Sequence, residues 1–275
     1  MTSPALRRAP MGGRPQPVRR SAAPWGSALL GAVCGLMAAV LWFAPASWLA
    51  TAVQKLSNGR LVLAGSQGTL WNGSAQLVLS GGAGSKDAAA LPGRLSWQLR
   101  PGWNGLHARI DAPCCTPQGL ALEALPRWGG VSLRLSDGQS NWPASLLSGL
   151  GTPWNTLQPD GELHLSSRGM AVEVVQGRVS VVGTAQIEAR RMSSRLSTLK
   201  PMGSYRVTIT GGAVTSLGLE TLDGALRLSG NGQWAGARLR FGGLASAEPG
   251  SETALSNLLN IIGRRDGARS IITVG

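Results

Sequence analysis

The side chains capable of chemistry in this 275-residue chain are few and scattered. There are two histidines, His107 and His164, and 13 acids. Each histidine alternates with apolar neighbours (Leu106 and Ala108; Leu163 and Leu165), which is the period of a half-buried strand and puts both rings on the wet side. Nucleophilic or acid–base catalysis needs a base within reach of its partner. No HExxH, GxSxG, Walker or Rossmann pattern supplies such a pair. Gly81-Gly82-Ala83-Gly84 lacks a strand-to-helix context and reads as loop. Cys34 lies in an apolar run, whereas Cys114 and Cys115 are adjacent, and no CxxC or histidine spacing makes them metal ligands. In an oxidising compartment the adjacent pair forms either a vicinal disulfide or a link to another chain, and the third reading is a reduced, passive pair. The chain is read as a non-enzyme, with no cofactor and no small-molecule substrate.

Charge and aromatic content are more informative. The net charge is +13, and residues 1–20 supply +5 of it, leaving +8 for the rest. Such a balance favours acidic partners, either headgroups or an acidic protein. Nucleic acid is discounted, because the bulk of the chain is placed outside the cytoplasm below. Arg100, Arg109, Arg134, Arg190, Arg206, Arg227, Arg238 and Arg240 all fall at polar positions of alternating runs. They form one broad cationic docking face if the strands share a sheet, and scattered solvated charges otherwise. Ten tryptophans accompany one tyrosine and two phenylalanines. Trp97 sits in an apolar row; Trp71, Trp103, Trp128, Trp142, Trp154 and Trp234 sit at turns, either capping sheet ends or forming an apolar docking surface.

The element that positions everything else is residues 22–44, read as a transmembrane helix. No charge occurs between Arg20 and Lys55. Twenty apolar residues make a helix of about 30 Å, the thickness of a bilayer core. Leu29, Leu30, Leu36 and Leu41 face lipid, with Trp25 near one interface and Trp42 and Phe43 near the other. Five arginines precede the segment, while Lys55 and Arg60 are the cations in the twenty residues after it, so the N-terminus is cytoplasmic and the remainder periplasmic in a bacterium. Ala44-Pro45-Ala46 has the form of a cleavage site, but the apolar run exceeds the roughly 7–15 residues of a signal peptide, which favours an uncleaved anchor.

The expected organisation is a disordered cytoplasmic arm (1–21), the anchor (22–44) and a membrane-proximal helix (45–59) with Trp48, Leu49, Ala52, Val53 and Leu56 on one face. A first β-rich half (60–136), a linker (137–160) and a second β-rich half (161–275) follow. About ten short alternating runs appear, among them 95–100, 106–111, 131–136 and 205–210. Residues 80–92 read as loop, 112–130 as irregular with a helical turn at 119–125, and 252–262 as a C-terminal helix capped by Ser251. The fold class is mainly β: antiparallel, a curled sheet or sandwich, each strand with one apolar and one wet face.

Several stretches resemble protein N of the bacterial type II secretion system (general secretion pathway protein N). They are Pro45-Ala46-Ser47-Trp48-Leu49 after the anchor, Gly-Thr-Leu-Trp-Asn-Gly at 68–73, Leu-Ser-Trp-Gln-Leu-Arg-Pro at 95–101, Leu-Lys-Pro-Met-Gly-Ser-Tyr-Arg at 199–206, Thr-Leu-Asp-Gly-Ala-Leu-Arg-Leu-Ser-Gly at 221–230 and Ile-Gly-Arg-Arg-Asp-Gly at 262–267. The resemblance implies a non-enzymatic inner-membrane component that supports export of folded periplasmic proteins across the outer membrane. Its partners would be other inner-membrane subunits, and no catalytic residues are implied. Gly68, Trp71 and Gly73 serve as turn or contact residues in this reading. The alternative is an AsmA-like anchored lipid carrier, whose curled sheet would present an open apolar trough to lipid. A closed apolar face argues for the first reading and an open one for the second.

Overall fold

A computed structural model describes residues 25–176, 178–236 and 238–275. The expected arm, residues 22–24 of the anchor, and Ala237 lie outside the described residues. Helix α1 (Trp25–Trp42) is exposed throughout and forms a unit separate from Phe43–Gly275. It is 18 residues long and apolar enough to cross a membrane.

Within the second unit the chain turns at Phe43 and starts helix α2 (Ala46–Leu56) directly after extended Pro45. The inward stripe of α2 is buried Ala46 with half-buried Leu49, Ala50 and Val53. Trp48, Ala52 and Leu56, expected on that stripe, are exposed instead, because the helix packs by its Ala46–Leu49 edge on Ala75, Leu95 and Trp97. Asn58 and Gly59 adopt positive φ and reverse the chain, a conformation that glycine and asparagine tolerate best.

The rest is one antiparallel sheet of sixteen strands. In chain order these are β1 (Leu61–Gly68), β2 (Asn72–Ser80), β3 (Ala88–Ala90), β4 (Leu95–Gly102), β5 (Gly105–Asp111), β6 (Leu120–Arg127), β7 (Gly130–Leu135) and β8 (Gly138–Pro143). There follow β9 (Asp160–Val175), β10 (Arg178–Ser193), β11 (Gly203–Thr210), β12 (Ser216–Asp223), β13 (Leu226–Ala235), β14 (Arg238–Ala247), β15 (Arg264–Asp266) and β16 (Arg269–Val274). The path runs β1-β2-β4-β5-β6-β7-β9-β10-β11-β12-β13-β14-β16-β15, with β3 beside β2 and β8 beside β9. It is an open, unclosed sheet.

Three segments differ from expectation. The helical turn anticipated at 119–125 is strand β6, because Leu120, Leu122 and Ala124 find partners in Ile110, Ala108 and Leu106 of β5. The loop at 80–92 contains β3, held through Leu79 and Ala89. Residues 137–160, read as a linker, hold β8, a 3₁₀ helix at Ala144–Leu150 and the single turn α3 (Trp154–Leu157). The sheet continues past this segment, since both β7 and β8 pair with β9.

Alternation changes parity within the long hairpin β9–β10. On β9, Leu163 and Leu165 are odd-numbered apolar residues, whereas Val172 and Val174 are even. A bulge around Gly169, at φ 56°, shifts the register. All four therefore meet odd-numbered partners on β10: Ala189, Ile187, Val181 and Val179.

One face of the sheet carries the core, in three adjoining patches. The first patch is covered by α2. The 3₁₀ helix and the 112–116 loop cover the second, through Leu146, Ala112 and Cys115 against Leu91. Helix α4 (Glu252–Ile262) covers the third, burying Leu255, Leu258 and Leu259 against Met192, Tyr205, Leu226 and Ala245. Ser251 makes no side-chain cap; the Glu252 carboxylate instead accepts from the Gly250 N–H at 2.8 Å. Ser270 of β16, fully buried, donates its hydroxyl to the Leu259 carbonyl at 2.6 Å and ties the end of α4 to the sheet.

Candidate docking surface

Cross-strand register decides which side each charged residue occupies, because directly paired residues share a face. One row on the face opposite the core reads Arg100, His107, Glu123 and Arg134 across β4–β7. A second reads Asn141, His164, Glu188, Arg206 and Glu220 across β8–β12. The same alternation puts Arg109, Arg190, Arg227, Arg238 and Arg240 on this polar face. All eight arginines singled out in the sequence thus lie on one side of one sheet.

The face is nevertheless mixed in sign rather than purely cationic. Arg206 bridges Glu188 at 3.0 Å and Glu220 at 2.8 Å, and Arg190 donates to Glu188 at 2.7 Å. Arg109 pairs with Asp111 at 3.3 Å, and Arg227 pairs with Glu248. Hydrogen bonds from Arg190 and then Arg206 hold the Glu188 carboxyl below its ordinary range. The two carboxylates raise Arg206 in turn. Among the described residues, Arg100, Arg134, Arg238 and Arg240 make no ion pair. The pairing acids gave little sequence signal on their own: Glu188 becomes the centre of a cluster only once β9, β10 and β11 are in register.

The histidines lie on the same face, as their alternation indicated. His107 Nδ1 is 3.5 Å from Glu123, and His164 Nε2 is 3.4 Å from Glu162. A groove of about 720 Å³ beside β8–β10 has Gln139, Asn141, His164, Ser166, Gln186 and Glu188 among its lining residues, which are mostly polar. It offers hydrogen bonds and paired charge to a partner surface.

Other sequence features resolve into structural parts. Gly68, at φ 87°, and Gly73 bracket the β1–β2 turn. A Cβ on Gly73 would stand 2.5 Å from the Trp97 ring, so the ring packs directly on that backbone. Trp97 Nε1 donates to the Leu70 carbonyl at 3.0 Å, inside the same turn. Half-buried Trp71 donates structure to the turn through its carbonyl, which accepts from the Leu99 N–H at 2.6 Å. Cys114 and Cys115 are bonded to each other, with Cys115 buried beneath Leu146. The anchor side chains Trp25, Leu29, Leu30, Leu36, Leu41, Trp42 and Phe43 are all exposed.

The apolar face is closed along most of its length by α2, the 3₁₀ helix and α4. Beyond them, toward the tips of β7, β9 and β10, Leu133, Val174 and Val179 remain exposed. An adjoining groove of about 540 Å³ is lined by Met170, Val181, Ile209, Val214 and Trp234 among others.

A family model described as type II secretion system (T2SS), protein N matches residues 59–272, which is the sheet almost in its entirety. No curated protein and no solved structure matches the chain.

Proposed function

The chain belongs to the type II secretion system protein N family, and we propose that it is a non-enzymatic inner-membrane subunit supporting assembly of the export machine. In this reading α1 anchors the protein with its N-terminus in the cytoplasm, and the sheet stands in the periplasm. The polar face docks other inner-membrane subunits of the system. The observation that carries the proposal is the gathering of eight arginines, interleaved with acids, on one face of the family-defining sheet. Charge patterns of this kind set register and partner choice more than raw affinity.

The test is photocrosslinking in intact cells from Arg134, Arg190 and Arg240, followed by identification of what is captured. Recovery of secretion-system subunits supports the proposal. Recovery of phospholipid with no such subunit refutes it. A strain lacking residues 59–272 should lose export across the outer membrane while inner-membrane translocation continues; normal export would refute a supporting role.

One observation favours the lipid-carrying alternative, namely the uncovered strip at Leu133, Val174 and Val179. The three covered patches weigh against it, because a trough for acyl chains would have to run open along the sheet. Lipid carriage predicts stoichiometric phospholipid copurifying with the protein through repeated detergent exchange.

A further inference from the structure

The chain enters the sheet at the end that carries the β1–β2, β4–β5 and β6–β7 tips. Ala44 accepts a hydrogen bond from the Leu70 N–H at 2.7 Å, and Pro45 bridges Thr69, so the chain joins the sheet at the β1–β2 turn. The β4–β5 and β6–β7 tips lie at the same end, because β1, β4 and β6 run in one direction. Those two tips present Trp103 and Trp128, which are 108% and 98% exposed. Fully solvated tryptophan is unusual for a residue that other parts of this chain bury, as at Trp97.

The chemistry of the tips matches a headgroup layer. Residues 100–105, 126–131 and 173–179 contain Arg100, Arg127 and Arg178 against the single acid Glu173. Glu173 is already engaged by Arg127 at 3.7 Å. Exposed Val174 and Val179 adjoin them. Indole rings settle at the membrane–water interface, and guanidinium groups pair with phosphodiesters.

We propose that Trp103 and Trp128 seat the β4–β5 and β6–β7 tips on the phospholipid surface of the membrane that α1 crosses, which fixes the tilt of the polar docking face. This rests on the anchored reading above. The test places a benzoylphenylalanine in the full-length chain, at Trp103, Trp128, Leu41 or Trp154, in nanodiscs of phosphatidylethanolamine and phosphatidylglycerol. Trp154 is the negative control, because α3 sits at the opposite end of the sheet, where Asn155 bonds Asp87. After irradiation, phospholipid adducts at Trp103 and Trp128 should approach those at Leu41 and exceed those at Trp154 by about tenfold or more. Adducts at Leu41 without adducts at the tips, or chain-to-chain adducts at the tips, overturn the proposal and leave the anchor standing. No lipid at Leu41 overturns the anchored reading itself, and this proposal with it.

Discussion

Helix α4 is a stringent place to test the architecture, because the sheet's largest core patch depends on it. Leu259 is 0% exposed, and its neighbours include Leu255 and residues of β11, β13 and β14. Leu259→Ala removes three carbons, at about 0.8 kcal/mol each. If about 60 Å³ of the void stays open, the cavity adds about 1.4 kcal/mol. The expected loss is therefore about 4 kcal/mol, a large share of the roughly 5–15 kcal/mol that holds a domain together. The assay is guanidinium unfolding of the full-length protein in detergent micelles, followed by tryptophan fluorescence. Ile261→Ala on the same helix is the control; Ile261 is 45% exposed, so its loss should cost only about 1 kcal/mol or less. A loss below about 1 kcal/mol at Leu259, or equal losses at both positions, would refute the packing of α4 on β11–β14.

Two further outcomes probe the turn and the charged face. Gly73→Ala drives a methyl into the Trp97 ring and the Gln67 carbonyl; overpacking of that kind should cost about 1–3 kcal/mol in the same assay, and a neutral effect would show that the ring does not sit on Gly73. Glu188→Gln tests the sign of the polar cluster. Arg190 and Arg206 depress the Glu188 carboxyl from its ordinary 4.5 in the folded protein, so its stabilising contribution is fully present above the unfolded value and lost as pH falls through the folded one. The variant should therefore be less stable than the parent at pH 7, with the deficit fading below about pH 4; a deficit unchanged between the two pH values would rule out an electrostatic origin.

Much of this protein was legible in its sequence, for reasons of local physics. An uncharged run of the right length makes a helix long and apolar enough to cross a membrane, and period-two alternation makes antiparallel strands. Helix α4 likewise followed from Leu255, Leu258 and Leu259 on one stripe. Other features needed partners distant in the chain. Strand β6 looked irregular until Ile110 and Ala108 lay beside it, and β3 needed Leu79. The bulge at Gly169 hid the length of β9 by shifting its parity. Above all, eight alternating arginines in separate segments carry no information about a common face, because that depends on strand order and register. The tertiary structure put them together, and in the same step brought Glu188 and Glu220 between them, so that the face carries a pattern of paired charge. It also decided which tryptophans pack and which remain in solvent: Trp97 has a glycine turn to fill, whereas Trp103 and Trp128 stand on hairpin tips that none of the described residues cover.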